Sequence, residues 1–472
     1  MTQPNLHAGV ATADITPPVG IAHAGWGAQT HERAAGVDMP FTVTALSLRK
    51  GDTAAMVLDL DLGTISVADA DRIRSEVQDA VETPAANVRV SYSHTHAGAV
   101  MSSFGAYIAA GQELIEGYRE TLVQQCIAAA RDAVAVEVPS RVVAGEGRSD
   151  VAVNRRLLVD DRVVVGVNPG GTSDDRVFVT RIDDLTGAPV AAIVGYACHP
   201  ITLAFQNDLL SPDFPGVVRE VVADLTGAPC LFLQGCAGDV MPVEGLTGDT
   251  SVHRRLGTML AAEASRVFLG LESRTGTWEF DGVVESGAPL GMHRWVPGDA
   301  PDQGLAVATR TIRMPVRSTP PPAEAAATAA AAVERVAALR AADVPDAELK
   351  DATFRAKRTA MRSQWATWAD GADDVEVTLH GIAVGDVALV GFPGEPFSGI
   401  GVQVHADSPF PHTHMAGYCN GWLGYVPTAD AFGPGGYEVD TGSTYAPAGA
   451  EVLRQESLAL LDDLTSALGE GG

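Results

Sequence analysis

The segment that decides the fold reads Val88-Arg89-Val90-Ser91-Tyr92-Ser93-His94-Thr95-His96-Ala97-Gly98. It begins as a β-branched, apolar run and ends in a turn-prone stretch, the pattern of a strand that opens into a loop. Upstream lie a short apolar strand candidate at residues 55–61 and helical spacing over residues 66–81, with Ser66 as a possible N-cap. Strand, helix and strand in succession predict an α/β layer.

The remainder of the chain continues this alternation. Helical spacing covers residues 114–136, 214–225 and 450–468, and apolar runs typical of strands cover residues 190–197, 230–233 and 387–391. We therefore predict a mixed α/β (α+β) fold in which central mixed β-sheets are flanked by helices. We expect residues 1–472 to form one domain, with loops near residues 20–40, 100–112 and 285–305 shaping any pocket.

Residues 320–370 differ from the rest of the chain in composition. Pro320-Pro321-Pro322 introduces an Ala-rich stretch that is interrupted at Pro345. Because alanine is the best helix former, the composition predicts two helices joined at Pro345, which makes an inserted α-helical hairpin. The pattern fits a surface excursion, a cover over a functional site, or a contact between copies of a homo-oligomer.

Composition excludes several classes of function. The chain is 46% hydrophobic and carries 59 acidic against 32 basic residues, a net charge of −27, which indicates a globular protein that does not bind nucleic acid. It has no secretion-signal pattern and no run of 18 apolar residues, so we expect no stable membrane association. The five cysteines lack CxxC spacing, which is typical of free thiols in the reducing cytoplasm.

Two histidine-bearing segments carry the first chemical signal. His94 and His96 follow one predicted strand, and His199 follows another in Tyr196-Ala197-Cys198-His199-Pro200. Imidazoles at i and i+2 on a strand point to one face, so both can reach one metal ion. A metallo-β-lactamase motif would continue with Asp-His, and a barrel amidohydrolase would place HxH on its first strand, so neither family fits. Ordinary structural histidines remain the alternative at this point.

Two carboxylates stand in unusual places. Asp239 lies among small residues after an apolar strand, and Glu395 follows Pro393-Gly394 at the end of another. Such positions suit side chains beside a reacting centre, although each also fits a role in stabilising a turn or a loop.

Together these segments resemble the neutral/alkaline ceramidase family, zinc amidases that cleave N-acylsphingosine. Ser93-His94-Thr95-His96-Ala97-Gly98 is similar to a T-H-T-H-S-G stretch of the family, and His199-Pro200 to a strand that ends in His-Pro. Residues 232–242 match F-x-Q-x-x-x-G-D-V-S-P at all but one position. Pro393-Gly394-Glu395 matches P-G-E, and Tyr425-Val426-Pro427-Thr428 resembles Y-V-T-T, with Tyr437 twelve residues on. The matches occur in family order.

The resemblance implies a role for each matching residue. It implies a zinc ion held by four ligands, which are His94, His199, Glu395 and Tyr425. His96 would stand beside the metal, and Tyr437 would donate a hydrogen bond to the substrate carbonyl or its oxyanion. Asn154 and Arg155 resemble a pair that lines the family's substrate pocket.

One departure from the family pattern changes the expected mechanism. Met241 stands where the family has its nucleophilic serine, and we expect no counterpart of the family's C-terminal β-sandwich domain. We therefore expect zinc-activated water to attack the amide or ester bond of a small soluble molecule, with His96 or Asp239 as general base. The alternatives are a zinc-assisted lyase or isomerase acting on a sugar or hydroxy acid, and a non-catalytic zinc- or ligand-binding protein.

Overall fold

The computed structural model describes residues 6–23, 26, 28–29, 31–101, 110–298, 303–342 and 344–470. The strands are β1 (His7–Asp14), β2 (Gly36–Val37), β3 (Thr42–Lys50), β4 (Thr53–Leu60), β5 (Val88–Tyr92), β6 (Val138–Arg148), β7 (Ala152–Asn154), β8 (Arg156–Val159), β9 (Arg162–Val165), β10 (Arg176–Asp184), β11 (Pro189–Tyr196), β12 (Leu209–Leu210), β13 (Cys230–Gln234), β14 (Val240–Pro242), β15 (Gly276–Glu285), β16 (Pro289–Pro297), β17 (Leu305–Pro315), β18 (Asp374–Val384), β19 (Val387–Gly391), β20 (Glu395–Pro396), β21 (His412–Ala416) and β22 (Tyr425–Val426).

The helices are α1 (Val67–Val81), α2 (Ile115–Ala135), α3 (Phe214–Thr226), α4 (Thr250–Gly270), α5 (Pro322–Ala341), α6 (Asp346–Ala369), α7 (Ser398–Asp407), α8 (Tyr437–Asp440) and α9 (Gly449–Glu470). The predicted helices near residues 66–81, 114–136, 214–225 and 450–468 are confirmed. The first begins as expected, because the Ser66 hydroxyl caps α1 by accepting a hydrogen bond from the Asp69 N–H at 3.0 Å.

The two largest sheets confirm the predicted fold class. An eight-stranded sheet has the order β13-β11-β10-β6-β1-β3-β4-β5, and a four-stranded sheet has the order β17-β18-β19-β21. Both are mixed, since β4–β5, β11–β13 and β19–β21 are parallel pairs within otherwise antiparallel ladders. The chain is therefore a mixed α/β protein whose central sheets are flanked by helices.

Each face of the large sheet has its own apolar core, as the alternation of side chains along a strand requires. In β4, Met56 and Leu58 belong to a core with α1 and α2, whereas Ala55 and Val57 face the four-stranded sheet. In the half formed by β10, β11 and β13, residues such as Phe232 pack beneath α3 and α4. Helices α7 and α9 bury their apolar residues on the outer side of the four-stranded sheet.

A buried ion cluster joins the two ends of the large sheet. Asp59 in β4 accepts a hydrogen bond from the N–H of Phe232 in β13 at 2.6 Å, although these strands lie near opposite ends of the sheet order. Arg219 on α3 pairs with Asp59 at 3.1 Å and also with Asp61. Burial raises the pKa of Asp59 to about 6, against the opposing effect of Arg219. The sheet thus curves until the ends of β5 and β11 converge.

The Ala-rich insertion forms the predicted hairpin. Helices α5 and α6 pack against each other, and Pro345 precedes the first turn of α6. Trp365 of α6 is buried against Trp422 and donates a hydrogen bond to the Thr441 carbonyl at 3.0 Å. The hairpin is therefore anchored to the body of the protein through α6.

One expectation about loops is wrong. Residues 285–297 were expected in a loop but lie within an antiparallel hairpin of β15 and β16, whose large apolar residues include Trp278, 64% exposed. The loop predictions at residues 24–25, 27, 30, 102–109 and 299–302 fall outside the described residues. Among the helices that the structure describes, none is long and apolar enough to cross a membrane.

Removing the cation of the buried ion cluster should destabilise the fold. We expect Arg219→Met to lower the free energy of unfolding by about 3–5 kcal/mol, because Asp59 and Asp61 are left buried without their counter-charge. Guanidinium chloride denaturation measures the change. Arg266→Met is the control, since Arg266 pairs with Glu263 on the surface, where solvent screens the charges and the pair contributes little to stability. Equal effects of the two substitutions would contradict this role of Arg219.

Candidate metal centre

The candidate residues follow the carboxyl ends of strands. His94 lies two residues after β5, His199 three residues after β11, and Glu395 four residues after β19. Each of these strands belongs to one of the parallel pairs, so its carboxyl end opens at the edge where loops can carry polar groups. The curvature of the large sheet brings the loops after β5 and β11 together.

His94 adopts a backbone conformation that few non-glycine residues occupy. Its φ of 68° lies in the left-handed region, which costs about 1 kcal/mol or more. The carbonyl of Gly63 lies 2.5 Å from His94 Nδ1, and an oxygen of this kind can only accept a hydrogen bond. Nδ1 therefore carries the proton, and Nε2 presents a lone pair toward the centre of the site.

His199 is held in the same tautomer. Its Nδ1 donates to the Ala237 carbonyl at 2.8 Å, so its Nε2 also presents a lone pair. The two Nε2 atoms of His94 and His199 are only 3.1 Å apart and buried. Two lone pairs at this distance repel each other unless a cation lies between them, so the geometry itself fits a metal ion.

Two further groups complete the cluster. His96 Nε2 lies 3.3 Å from His94 Nε2, and the three imidazoles can together hold a metal ion. Glu395 Oε2 lies 3.5 Å from His94 Nε2 and 3.3 Å from His199 Nε2. Ligand atoms that bind a tetrahedral metal at 2.0–2.1 Å are about 3.3 Å apart, which matches these separations.

Burial keeps the imidazoles in the form that binds metal. It lowers the pKa of His94, and it lowers the pKa values of His96 and His199 to well below their usual range. All three side chains are therefore neutral near pH 7, and no proton competes with a metal ion for their lone pairs.

The carboxylate of Glu395 is fixed by two aromatic donors. Trp422 Nε1 donates to Oε1 at 2.7 Å, and the Tyr418 hydroxyl donates to Oε2 at 3.2 Å. Hydrogen bonds of this kind orient a metal-binding carboxylate. Sequence reasoning assigned no role to Tyr418 or Trp422, although both lie in the turn-rich segment 417–425.

His94, His96 and Glu395 of this cluster line a cavity of about 670 Å³, open solvent included. Its lining consists of Gly63, Thr64, His94, Thr95, His96, Gly98, Ala99, Val100, Lys357, Met361, Glu395, Trp422, Tyr425 and Tyr437. Lys357 and Met361 come from α6, so the inserted hairpin supplies part of the wall. No sequence pattern indicates that Lys357 lines a cavity, because a lysine on an Ala-rich helix is usually a surface charge.

Comparison with solved structures shows which known fold this architecture matches. No protein-family model and no curated protein matches the sequence. Neutral ceramidase from Pseudomonas aeruginosa matches 98% of this chain over 75% of its own length, with a TM-score of 0.70 and 18% identity. A ceramidase complexed with C2 matches 98% of this chain over 76% of its own length, with a TM-score of 0.66 and 18% identity. This chain has the ceramidase fold. The likeness read from the sequence motifs is thereby confirmed at the level of structure.

Within the ceramidase fold, the two tyrosines predicted at the site do line the cavity. The ring of Tyr425 lies parallel to that of His199 at 6.3 Å, and its hydroxyl accepts a hydrogen bond from Arg155 at 3.1 Å. The hydroxyl of Tyr437 lies 3.9 Å from Met361 Sδ. Direct binding of a metal by Tyr425 stays a prediction.

Besides His199, which is fully buried, three other predicted site residues are not among those that line the cavity. Arg155 lies behind Tyr425 and pairs with buried Glu438 at 2.9 Å. Asn154 donates to Asp239 at 3.3 Å, and Asp239 accepts from the Ser398 N–H at 2.6 Å and from the Ser398 hydroxyl at 3.2 Å. Burial raises the pKa of Asp239 to about 6. This placement favours support of the surrounding loops over contact with a substrate.

Met241 lies apart from the cavity lining. It belongs to β14, is buried, and pairs with Val153 of β7. A thioether in this strand fills space and offers no nucleophile.

Loss of the Glu395 charge should weaken metal binding. We expect Glu395→Gln to lower zinc affinity by more than 100-fold, because it removes a negative charge from the donor set. Trp422→Phe removes only the hydrogen bond that orients Glu395, so it should cost about 10- to 100-fold. Competition with a chromogenic chelator measures both affinities.

Glu376→Gln is the control, since Glu376 is exposed on β18 and does not line the cavity. Circular dichroism shows that each variant is folded. Wild-type zinc affinity in folded Glu395→Gln would contradict a ligand role for this carboxylate.

Proposed function

We propose that this protein is a zinc-dependent hydrolase that cleaves an amide (or ester) bond of a small substrate, with a water molecule activated at the metal. The observation that carries the proposal is the convergence of the His94, His199 and Glu395 donor atoms beside an open cavity, which His94 and Glu395 line. Buried nitrogen and oxygen donors of this kind suit zinc.

The fold supports the choice of reaction. Ceramidases are amide hydrolases, and this chain shares their fold along 98% of its length. Zinc, when bound, polarises a carbonyl and lowers the pKa of water toward 7. In our proposal His94, His199 and Glu395 hold the ion, with Tyr425 as the fourth ligand.

The remaining residues move protons and position the substrate. In our proposal His96 takes the proton of the attacking water on its unprotonated ring nitrogen and returns it to the leaving amine. The ring of Trp26 packs against the ring of His96, with 5.0 Å between the ring centres, and limits the rotation of the imidazole. Tyr437 donates a hydrogen bond to the oxygen that becomes negative in the transition state. Water acts as nucleophile because Met241 replaces the serine of the family pattern.

Isotope incorporation tests the reaction class. We expect zinc-loaded protein to hydrolyse short-chain p-nitroanilides or p-nitrophenyl esters in H₂¹⁸O with one ¹⁸O in each carboxylate formed. Dipicolinate should abolish turnover, and added zinc should restore it. Conversion of sugars or hydroxy acids without ¹⁸O would instead identify a lyase or isomerase. Stoichiometric zinc with no turnover of any substrate would identify a binding protein, and either result would overturn the proposal.

Replacing His96 separates a base from a ligand. We expect His96→Ala to lower kcat by roughly 10²- to 10⁴-fold while zinc content stays near wild type. His293→Ala, which changes an exposed histidine in β16, is the control and should leave kcat unchanged. Loss of zinc together with loss of turnover would make His96 a metal ligand and would contradict its role as the base.

A further inference from the structure

A second recess adjoins the cavity of the metal centre and is lined by arginines. It is an open depression of about 1120 Å³ whose walls include Arg162, Arg317, Arg358 and Arg362. Tyr437 lines both this arginine recess and the cavity, so the two spaces share a wall.

The charge of the arginine recess is opposite to that of the protein. The chain has a net charge of −27, with 32 basic residues in all. Four arginines nevertheless line this one depression, against two carboxylates, Asp161 and Asp440. One of these carboxylates is already engaged, because Asp440 accepts the Gly436 N–H at 2.8 Å. A positive surface in an acidic protein attracts and concentrates anions.

The guanidinium groups of the arginine recess are held mainly by neutral partners. Arg317 donates to the carbonyls of Val439 and Ser443 at 2.5 and 2.6 Å, and its buried Nε has no hydrogen-bond partner among the described residues. Arg362 donates to the carbonyl of Asp440 at 3.4 Å. These contacts orient the two side chains without neutralising their charge.

The other two arginines present their charge to solvent. The Arg358 guanidinium lies 4.2 Å from the ring centre of Phe354, a contact that stiffens the side chain. Among the described residues, no carboxylate lies within ion-pair distance of Arg358 or Arg162. Guanidinium groups that are not paired with a carboxylate bind carboxylate and phosphate oxygens well, because a planar pair of N–H donors matches two oxygens.

One helix connects the arginine recess with the metal centre. On α6, Lys357 and Met361 are four residues apart and line the cavity, whereas Arg358 and Arg362 form the adjacent stripe and line the recess. A molecule that extends from the metal centre past Tyr437 therefore meets the guanidinium groups. An uncharged apolar chain in this direction would remove water from cations without replacing their hydrogen bonds, which is unfavourable.

We propose that the arginine recess binds an anionic group, a carboxylate or a phosphate, on the substrate whose amide or ester bond lies at the metal centre. The assignment to a substrate rests on the proposed hydrolase function, whereas binding of the anion does not. The site therefore selects small acidic molecules, in which one end carries the scissile bond and the other end carries the negative charge.

Direct binding tests the arginine recess without any need for turnover. Zinc-loaded protein is titrated with adipate and with inorganic phosphate by isothermal titration calorimetry at low ionic strength. We expect the Arg162→Gln/Arg358→Gln double variant to bind the preferred anion at least 10-fold more weakly than wild type. Arg131→Gln removes one exposed charge from α2 and is the matched control, with wild-type affinity expected. Preference for adipate or for phosphate identifies the group that is recognised, and equal binding by wild type and double variant would overturn the proposal.

Turnover of a matched pair links the arginine recess to the reaction. Adipic acid monoanilide carries a carboxylate at the far end, and its carboxamide analogue does not. We expect kcat/KM to favour the acid by at least 10-fold in wild type, and this ratio to fall toward 1 in the double variant. If the protein hydrolyses the acid and the carboxamide equally well, and the double variant does the same, the proposed role of the arginine recess is wrong and the proposed hydrolase function stands. If anion binding is lost in the double variant but wild type hydrolyses no amide or ester, the result would support anion binding by the arginine recess and contradict the hydrolase function.

Discussion

The buried cluster of Arg219, Asp59 and Asp61 is the interaction on which the site depends. The strands of the large sheet that carry the histidines lie far apart in the sheet order, and an open sheet would keep His94 and His199 apart. Charge pairing with α3 and the bond from Phe232 to Asp59 draw the two ends together. A buried pair of this kind stabilises little in net terms but is costly to break, so it selects one curvature of the sheet.

The same curvature explains why several lone pairs point toward one centre in the site. The carbonyl oxygens of Gly63 and Ala237 each accept a hydrogen bond from the Nδ1–H of an imidazole, so His94 and His199 turn their unprotonated Nε2 atoms toward one point. Glu395 reaches this point from the other sheet with its oxygens already bound by Tyr418 and Trp422. The folded backbone therefore holds the two Nε2 atoms and the carboxylate oxygens close together despite their mutual repulsion, and a cation bound among them would remove this repulsion.

Local patterns in the sequence predicted the elements better than the contacts between them. Strand and helix periodicity, the Ser66 cap and Pro345 located the main helices, because these signals act within a few residues. The donors to Glu395 were missed, since nothing near Trp422 in the chain indicates that it faces a strand end some thirty residues away. Residues 285–297 read as a loop, because glycine and proline obscure the alternation that the β15–β16 hairpin contains.

The candidate metal-binding residues and the other lining residues come from different parts of the fold, which has an evolutionary consequence. The candidate metal-binding side chains all come from strand ends, whereas Lys357, Met361, Arg358 and Arg362 come from one helix that is tied to the body by a few aromatic contacts. Substitutions on the exposed turns of α6 can alter which molecules are accepted without disturbing the donor atoms. Such a protein can diversify its choice of ligand while its chemistry is inherited unchanged.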